Sequence, residues 1–330
     1  MSDYRAAGVD LDGADAHTAR IGPLVTATWD ESVVGGFGGF AAGLELPGGY
    51  RHPVLMMSTD GVGTKLEIAR RSGLWEGVGF DLVAMCVDDL VVAGARPLGF
   101  VDYLAVGALN GDRDAAIVES VAAACGVAGC ALLGGETAEH PGVMEFDAVD
   151  LAGAAVGVVE KGDELGPRGV REGDVVVGLA SPNLRSNGFS LVRKVFEGID
   201  LDSPFPEDGG TVAEVLLRPS VVYAPAVMAA IATGAVHAAA HVTGGGLAAN
   251  LARSIPDGLE AVVDHWSWEW PFVFTEVQRR GGISVEEMRR TFNLGVGFCL
   301  VVGPDGLDAV MEAVTGHQPT VIGRVVARGW

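Results

Sequence analysis

Pro53-Val54-Leu55-Met56-Met57-Ser58-Thr59-Asp60-Gly61-Val62-Gly63-Thr64-Lys65 is an apolar run that stops at an acid, two glycines, a hydroxyl and a cation. Its apolar part, Pro53–Met57, reads as a buried strand, and Lys65–Ser72 as the start of a helix. Asp60–Lys65 is then the turn between them. Such a turn suits Mg²⁺ and phosphate: a carboxylate can hold the metal, glycine lets backbone N–H groups approach oxygens, and Lys65 supplies charge. The spacing is not that of a Walker A loop, so the usual P-loop fold is not implied. Lys65 is one of three lysines, with Lys161 and Lys194, in a chain that otherwise uses arginine. The competing reading is a plain strand-to-helix turn with a solvated lysine.

Elements alternate on both sides of this turn. Upstream, a helix is expected around Asp12–Arg20, followed by Gly35-Gly36-Phe37-Gly38-Gly39-Phe40, four glycines in six residues and hence a loop. Downstream, Gly79–Ala93 has apolar spacing near 3.6 and reads as a buried helix that nevertheless carries Asp81, Asp88 and Asp89. Buried carboxylates need a metal, a cation or hydrogen-bond donors. Pro97–Val106 is a strand, Asp112–Ala128 a helix, Ala131–Leu133 a short strand running into Gly134-Gly135-Glu136-Thr137, and Leu151–Val159 another strand. Lys161–Asp174, rich in glycine, reads as a linker, which places a boundary near residue 168 and divides the chain into 1–168 and 169–330. The second half repeats the theme from Val175–Leu179 to Pro319–Val326. Alternation in both halves predicts α/β (α+β type) domains rather than all-α or all-β.

Composition narrows the function. The net charge is −21, with 25 of the 43 acidic residues but only 10 of the 22 basic ones in residues 1–168. That balance argues against nucleic-acid or anionic-membrane binding, either of which needs a basic face. No apolar run approaches the roughly 20 residues that span a bilayer, and the N-terminus lacks the pattern of a secretory signal, so the expected location is cytoplasmic. Cys86, Cys125, Cys130 and Cys299 lie in apolar surroundings without CxxC spacing and read as reduced, buried hydrophobes.

Three acidic sites stand beside glycines or at element ends in the first half: Asp60, Asp88-Asp89 and Glu136. Convergence of strand ends would let them share Mg²⁺. One of Asp88 and Asp89 is expected to cap or pair locally instead. In the second half, His241-Val242-Thr243-Gly244-Gly245-Gly246 resembles an anion nest ahead of a helix. His241 either orients a substrate or satisfies a core hydrogen bond. Trp266, Trp268 and Trp270 read as extended packing, with base stacking the alternative.

Together these stretches resemble the phosphoribosylformylglycinamidine cyclo-ligase family. The matching segments are Gly8–Asp10, Gly35–Phe40, Thr59–Lys65, Asp81–Val92, Gly134–Glu139, Ser186–Arg193, His241–Gly246 and Arg290–Gly297, in family order along nearly the whole chain. The resemblance implies ATP-dependent closure of a small-molecule ribonucleotide, formylglycinamidine ribonucleotide, to aminoimidazole ribonucleotide in purine biosynthesis. It implies catalytic roles for Asp60, Lys65, Asp89, Glu136 and His241, with Asp60, Asp89 and Glu136 holding Mg²⁺ on the ATP phosphates. Gly35, Gly36, Gly38, Gly39, Gly61, Gly63, Thr64 and Lys65 would cradle those phosphates. Arg185, Ser186, Asn187, Gly188, His241, Thr243, Gly244, Gly245 and Gly246 would face the ribonucleotide. It further implies a homodimer whose N-terminal sheets pair into a barrel, and a C-terminal α/β sandwich-like domain with helices on one face.

Two positions depart from the family pattern. Arg185 stands where many members carry His before Ser-Asn-Gly, and arginine cannot shuttle a proton at neutral pH. Gly22 stands where many carry Lys. Other enzymes of the superfamily fit less well: residues 1–50 lack the cysteine expected of selenophosphate synthetase, and the C-terminus lacks the cysteine-bearing tail of the hydrogenase-maturation carbamoyl dehydratase. Thiamine-monophosphate kinase, the enzyme runner-up, lacks the Ser-Asn-Gly-Phe-Ser pattern. A catalytically dead scaffold would have lost the acidic residues, and this chain keeps them.

Overall fold

The computed structural model describes residues 10–263 and 268–329. The first half runs α1 (Leu11–Thr26), β1 (Val33–Val34), β2 (Gly43–Leu44), β3 (Pro53–Gly61), α2 (Leu66–Ser72), α3 (Val78–Val92), β4 (Arg96–Val106), α4 (Gly111–Ala128), β5 (Ala131–Glu139) and β6 (Val149–Glu160). Strands β3, β6, β4 and β5 form a sheet in that order, antiparallel except for the parallel β4–β5 pair. Side chains alternate cleanly. Val54, Met56, Phe100 and Leu104 point towards α3 and α4, whereas Leu55 (54% exposed), Met57 (78%), Val101 (43%) and Tyr103 (44%) lie on the opposite face, open among the described residues.

The second half runs β7 (Val175–Ala180), α5 (Phe189–Val195), α6 (Val212–Leu216), α7 (Ala224–Ile231), β8 (Val236–His241), α8 (Gly246–Ala252), β9 (Leu259–Val263), α9 (Phe272–Gly281), α10 (Val285–Thr291), β10 (Val296–Val302), α11 (Leu307–Ala313) and β11 (Thr320–Ala327). Its five strands form an antiparallel sheet in the order β8-β10-β7-β11-β9. Every residue of β10 is buried. Phe298, Leu300 and Val302 join Val227 of α7 and Val310 of α11, while Cys299 and Val301 join Leu247 and Leu251 of α8. Helices therefore cover both faces of the central strands, not one as the resemblance implied. A strand that is apolar at every position needs cover on both sides.

The sequence reading differs elsewhere too. Ala131–Leu133 does not end at Gly134; the strand continues to Glu139 because parallel pairing with β4 carries it through both glycines. Strand β8 and helices α6 and α7 went unread. Trp266 lies outside the described residues. Trp268 donates its Nε1–H to the Leu294 carbonyl (2.8 Å) and Trp270 packs against the core, so these two serve packing. The halves share one apolar core from Val25 to Val314, and α3, apolar on nearly every side, runs through it.

Candidate active site

Helix α3 presents Asp81 and Asp88, two turns apart on one face, to the second half of the chain, and both are completely buried. Asp81 meets Lys65 Nζ at 2.6 Å through Oδ2 and accepts hydrogen bonds from the Ser220 N–H (3.1 Å) and hydroxyl (2.5 Å) at Oδ1. The Lys65 ammonium also donates to the carbonyls of Arg185 (3.0 Å) and Arg218 (2.9 Å). Its three donors thus have three acceptors. Burial pulls Lys65 below its ordinary pKa and pushes Asp81 above its own, each opposed by the other's charge. Lys65 is neither the phosphate ligand of the resemblance nor a solvated turn residue. It is a fully enclosed strut between the halves, with no proton left for a ligand.

Of the adjacent pair, Asp88 is the one that pairs internally. Its Oδ1 accepts from the N–H groups of Tyr223 (2.9 Å) and Ala224 (3.0 Å), at the start of α7, and its Oδ2 lies 2.7 Å from Arg185 Nη2. Arg185 is itself fully buried, stacked with its guanidinium carbon 4.9 Å from the Tyr223 ring centroid. Its other contacts are Gly297 O (3.2 Å), Val221 O (3.0 Å) and His241 Nε2 (2.6 Å). It cannot face a ribonucleotide as the resemblance implied, because it is completely buried and both its Nη groups are engaged inside the protein. His241, at the end of β8, is 5% exposed, stacks on Phe298, and places Nδ1 2.9 Å from Asp89 Oδ1. The core-hydrogen-bond reading of His241 is the one the geometry takes, against the substrate-facing and catalytic roles implied for it.

Asp89 is the half-exposed end of this chain of contacts, with its side chain 47% accessible. Asp60, exposed at the end of β3, points to the helix-covered side, because its cross-strand partner Gly153 faces Leu82 and Phe100. Both carboxylates flank Cys86, whose thiol is pushed up to about 12 by burial first and then by the charges of Asp60 and Asp89. They form an acidic corner. Glu136 does not belong to it. It pairs with Tyr103 on the open face of the sheet, on β5, with β6 and β4 between it and β3. Among the described residues no cluster of three or more acidic, His or Cys side chains could hold a metal, so the three-carboxylate site expected from the resemblance does not form within one chain.

The glycine loop sides with Glu136. Gly36–Ala42 closes a cavity of about 740 Å³ against His17 of α1, Asp102 of β4 and Gly134–Glu139 of β5. Gly22 has a steric reason here, since a Cβ would lie 3.0 Å from the Phe37 ring. Gly135 makes room for Asp102, whose Oδ1 would sit 1.8 Å from an added Cβ. Burial pushes the Asp102 carboxyl up to about 7. The folded pKa lies above the unfolded one, so the native state holds a proton that the unfolded chain releases. That stabilisation is full below the unfolded pKa and is lost as pH rises through about 7. Asp102→Asn is expected to melt like the parent near about pH 3, below both pKa values, and several degrees above it at about pH 8.5. Melts that stay parallel at both pH values would dismiss the effect.

The two substrate-side loops do meet. Asn187 Oδ1 accepts the Gly244 N–H (3.1 Å), and Ser186 Oγ donates to the Val62 carbonyl (2.8 Å), pinning Ser186–Gly188 to the turn after Asp60. Gly188 and Gly246 are packing glycines: both have positive φ, and an added Cβ would lie 2.4 Å from Phe292 and 1.9 Å from the Arg289 carbonyl, respectively. The nest is therefore already partly engaged by protein. Ser58 and Arg253 also reach this side, lining a hollow of about 400 Å³ with Asp89 and His241. Sequence reading missed Arg253; its only signal was its place seven residues after Gly246, on the helix following the glycine turn.

Fold and site together define an α/β protein with two main sheets, whose halves share one core and meet at an acidic, glycine-bordered cleft, a form suited to an enzyme acting on small molecules. Family models described as AIR synthase related protein match residues 41–159 (N-terminal domain) and 171–329 (C-terminal domain). The chain belongs to the AIR synthase related family. It is 49% identical over 333 residues, 99% of this chain and 96% of the relative, to phosphoribosylformylglycinamidine cyclo-ligase of Sorangium cellulosum. Solved structures of similar fold include thiamine-monophosphate kinase from Stenotrophomonas maltophilia (TM-score 0.65, 23% identity, 95% of this chain and 93% of that one). The hydrogenase maturation protein HypE in complex with ATP is another (TM-score 0.60, 18% identity, 94% and 86%). Among the described residues no helix is long and apolar enough to cross a membrane.

Proposed function

We propose that this chain closes the ring of formylglycinamidine ribonucleotide to aminoimidazole ribonucleotide at the expense of ATP, in the cytoplasm, as a C–N ligase of purine biosynthesis. The observation that carries this reading is the 49% identity, over 99% of the chain, to a phosphoribosylformylglycinamidine cyclo-ligase. Thiamine-monophosphate kinase, at 23% identity, shares the fold alone. A coupled assay following product formation by the purified protein with ATP, Mg²⁺ and the ribonucleotide tests it. ATP consumption that requires the ribonucleotide is expected; phosphorylation of thiamine monophosphate instead would replace this reading with the kinase.

Asp60 and Asp89 fit Mg²⁺. That ion is usually held by one or two carboxylates plus substrate phosphates rather than by a protein cage, and this corner offers two accessible carboxylates. Bound there, the metal would neutralise charge on the transferring phosphoryl group. The chain's own residues position: His241 orients Asp89, Asn187 ties the two second-half loops together, and Ser186 fixes the turn that follows Asp60. Phosphoryl transfer asks for little else, which fits a site without a side-chain nucleophile.

Asp60 and Glu136 lie at opposite edges of one sheet, on opposite faces, with exposed apolar residues between them. Face-to-face pairing of two copies through Leu55, Met57, Val101 and Tyr103, as in the implied homodimeric barrel, would cover that face. It would also bring Glu136 and the glycine loop of one subunit towards the Asp60 corner of the other. On this reading residues 1–168 bind ATP and dimerise, and residues 169–330 complete the ribonucleotide cleft.

A further inference from the structure

Arg185 is the anomaly of this cleft: a non-glycine residue at φ 58°, fully buried, standing next to Ser186 yet pointed away from the cleft. Its guanidinium joins Asp88 Oδ2 at 2.7 Å to His241 Nε2 at 2.6 Å. Arginine remains protonated and has no acceptor, so Nη1–H donates and His241 Nε2 must offer a lone pair. An imidazole whose Nε2 accepts carries its proton on Nδ1. That nitrogen lies 2.9 Å from Asp89 Oδ1, so His241 donates to Asp89. The alternative contact, His241 Nε2 to Asp88 Oδ2, is 3.9 Å and too long for a hydrogen bond. Phe298 stacks on the imidazole (ring centroids 6.1 Å apart) and limits its tilt.

We propose that Arg185 is a positioning residue. By filling the Nε2 lone pair of His241 it selects the neutral Nδ1–H tautomer, whose one N–H fixes the Asp89 carboxylate and turns its second oxygen to the cleft. Among the described residues no donor reaches Asp89 Oδ2, so that oxygen is left for a divalent cation. The sequence Asp88, Arg185, His241, Asp89 runs from a completely buried acid to a half-exposed one, and each link has one allowed direction. Lysine could not replace Arg185, because one ammonium cannot span Asp88, His241 and two carbonyls in a fixed plane. This inference rests on the reading of Asp89 as a metal ligand.

Two measurements test it. The first is ¹⁵N NMR of histidine-labelled protein without metal or nucleotide. The His241 Nε2 resonance is expected at the unprotonated, acceptor-type position in the parent and displaced from it in Arg185→Met/Asp88→Asn, which removes both buried charges together. The second is the Mg²⁺ dependence of turnover. Partners of metal ligands typically carry about 10–100-fold in metal affinity. The double variant and His241→Phe are both expected to raise the half-saturating Mg²⁺ concentration about tenfold or more, with the ribonucleotide KM little changed. Arg185→Lys is expected not to rescue either readout. A protonated Nε2 in the parent, or variants that raise the ribonucleotide KM while leaving the Mg²⁺ requirement alone, would overturn the assignment. The NMR result stands apart from the functional reading: a parent with the expected tautomer but no turnover refutes the activity and leaves the tautomer lock in place.

Discussion

Asp60→Asn is expected to lower turnover by a factor on the order of 10²–10³, the usual cost of removing one preorganised electrostatic group, while the melting temperature stays with the parent. Asp60 is exposed at the end of β3, and its side chain accepts a hydrogen bond from the Gly61 N–H at 2.7 Å. Asparagine fills the same space and still accepts that bond, so the fold loses nothing but a charge facing the cleft. Turnover close to the parent's would remove Asp60 from the site. Glu136→Gln should be comparably inactive, although Glu136 lies on the other face of the sheet and two strands away. The two variants separate a site within one chain from a site shared between copies. If Glu136 acts on the neighbour's corner, mixing and reassembling the inactive variants creates mixed dimers with one intact site. In a two-fold dimer with random exchange that restores about a quarter of parent activity. If each chain works alone, mixing restores nothing.

What could be read from the sequence, and what could not, divides along physical lines. The exposure of Asp60 was legible because an acid beside glycine at the end of an apolar run is accessible whatever folds around it, whereas which of Asp88 and Asp89 pairs internally was not, since both lie inside one apolar helix. The alternating elements were legible because helix and strand periods are local. The role of Glu136 was not, since strand neighbours and facing depend on register. One residue of slip moves a side chain to the other face, and β4 carries irregularities between Phe100 and Val101 and between Pro97 and Gly99. Strand β8, Val-His-Ala-Ala-Ala-His, shows no alternation because alanine serves either face. Arg185 and Lys65 were misread, and His241 was left between two readings, for a common reason. Each sits beside glycines or hydroxyls that suggest phosphate, but its environment is made by residues about 35 to 150 positions away in sequence. A cation's neighbours decide whether it faces solvent, and those neighbours are assembled only by the tertiary fold.

Lys65→Met is therefore expected to behave as a stability variant and not as a catalytic one. Removing one partner of a buried ion pair leaves the other charge without compensation, at a cost of about 3–5 kcal/mol. Here Asp81 would lose the cation it pairs with, and the carbonyls of Arg185 and Arg218 would each lose a donor. Denaturant unfolding should show that loss directly. Below the melting transition, the ATP KM should stay near the parent's, because none of the three Lys65 donors points to the cleft. Lys65→Met/Asp81→Asn distinguishes this account from any other. The pair would vanish as a unit while an oxygen remains for the Ser220 N–H and hydroxyl, and replacing a buried pair by neutral groups of similar volume is often close to neutral in stability. Recovery of most of the lost stability in the double variant is the expected result. A single variant that keeps parent stability but needs far more ATP would return Lys65 to the phosphates, and with it the reading of Asp60–Lys65 as one continuous nucleotide turn. The buried geometry argues the other way: the acid at the start of that turn faces the cleft, and the cation at its end holds the two halves together so that the cleft has a fixed shape.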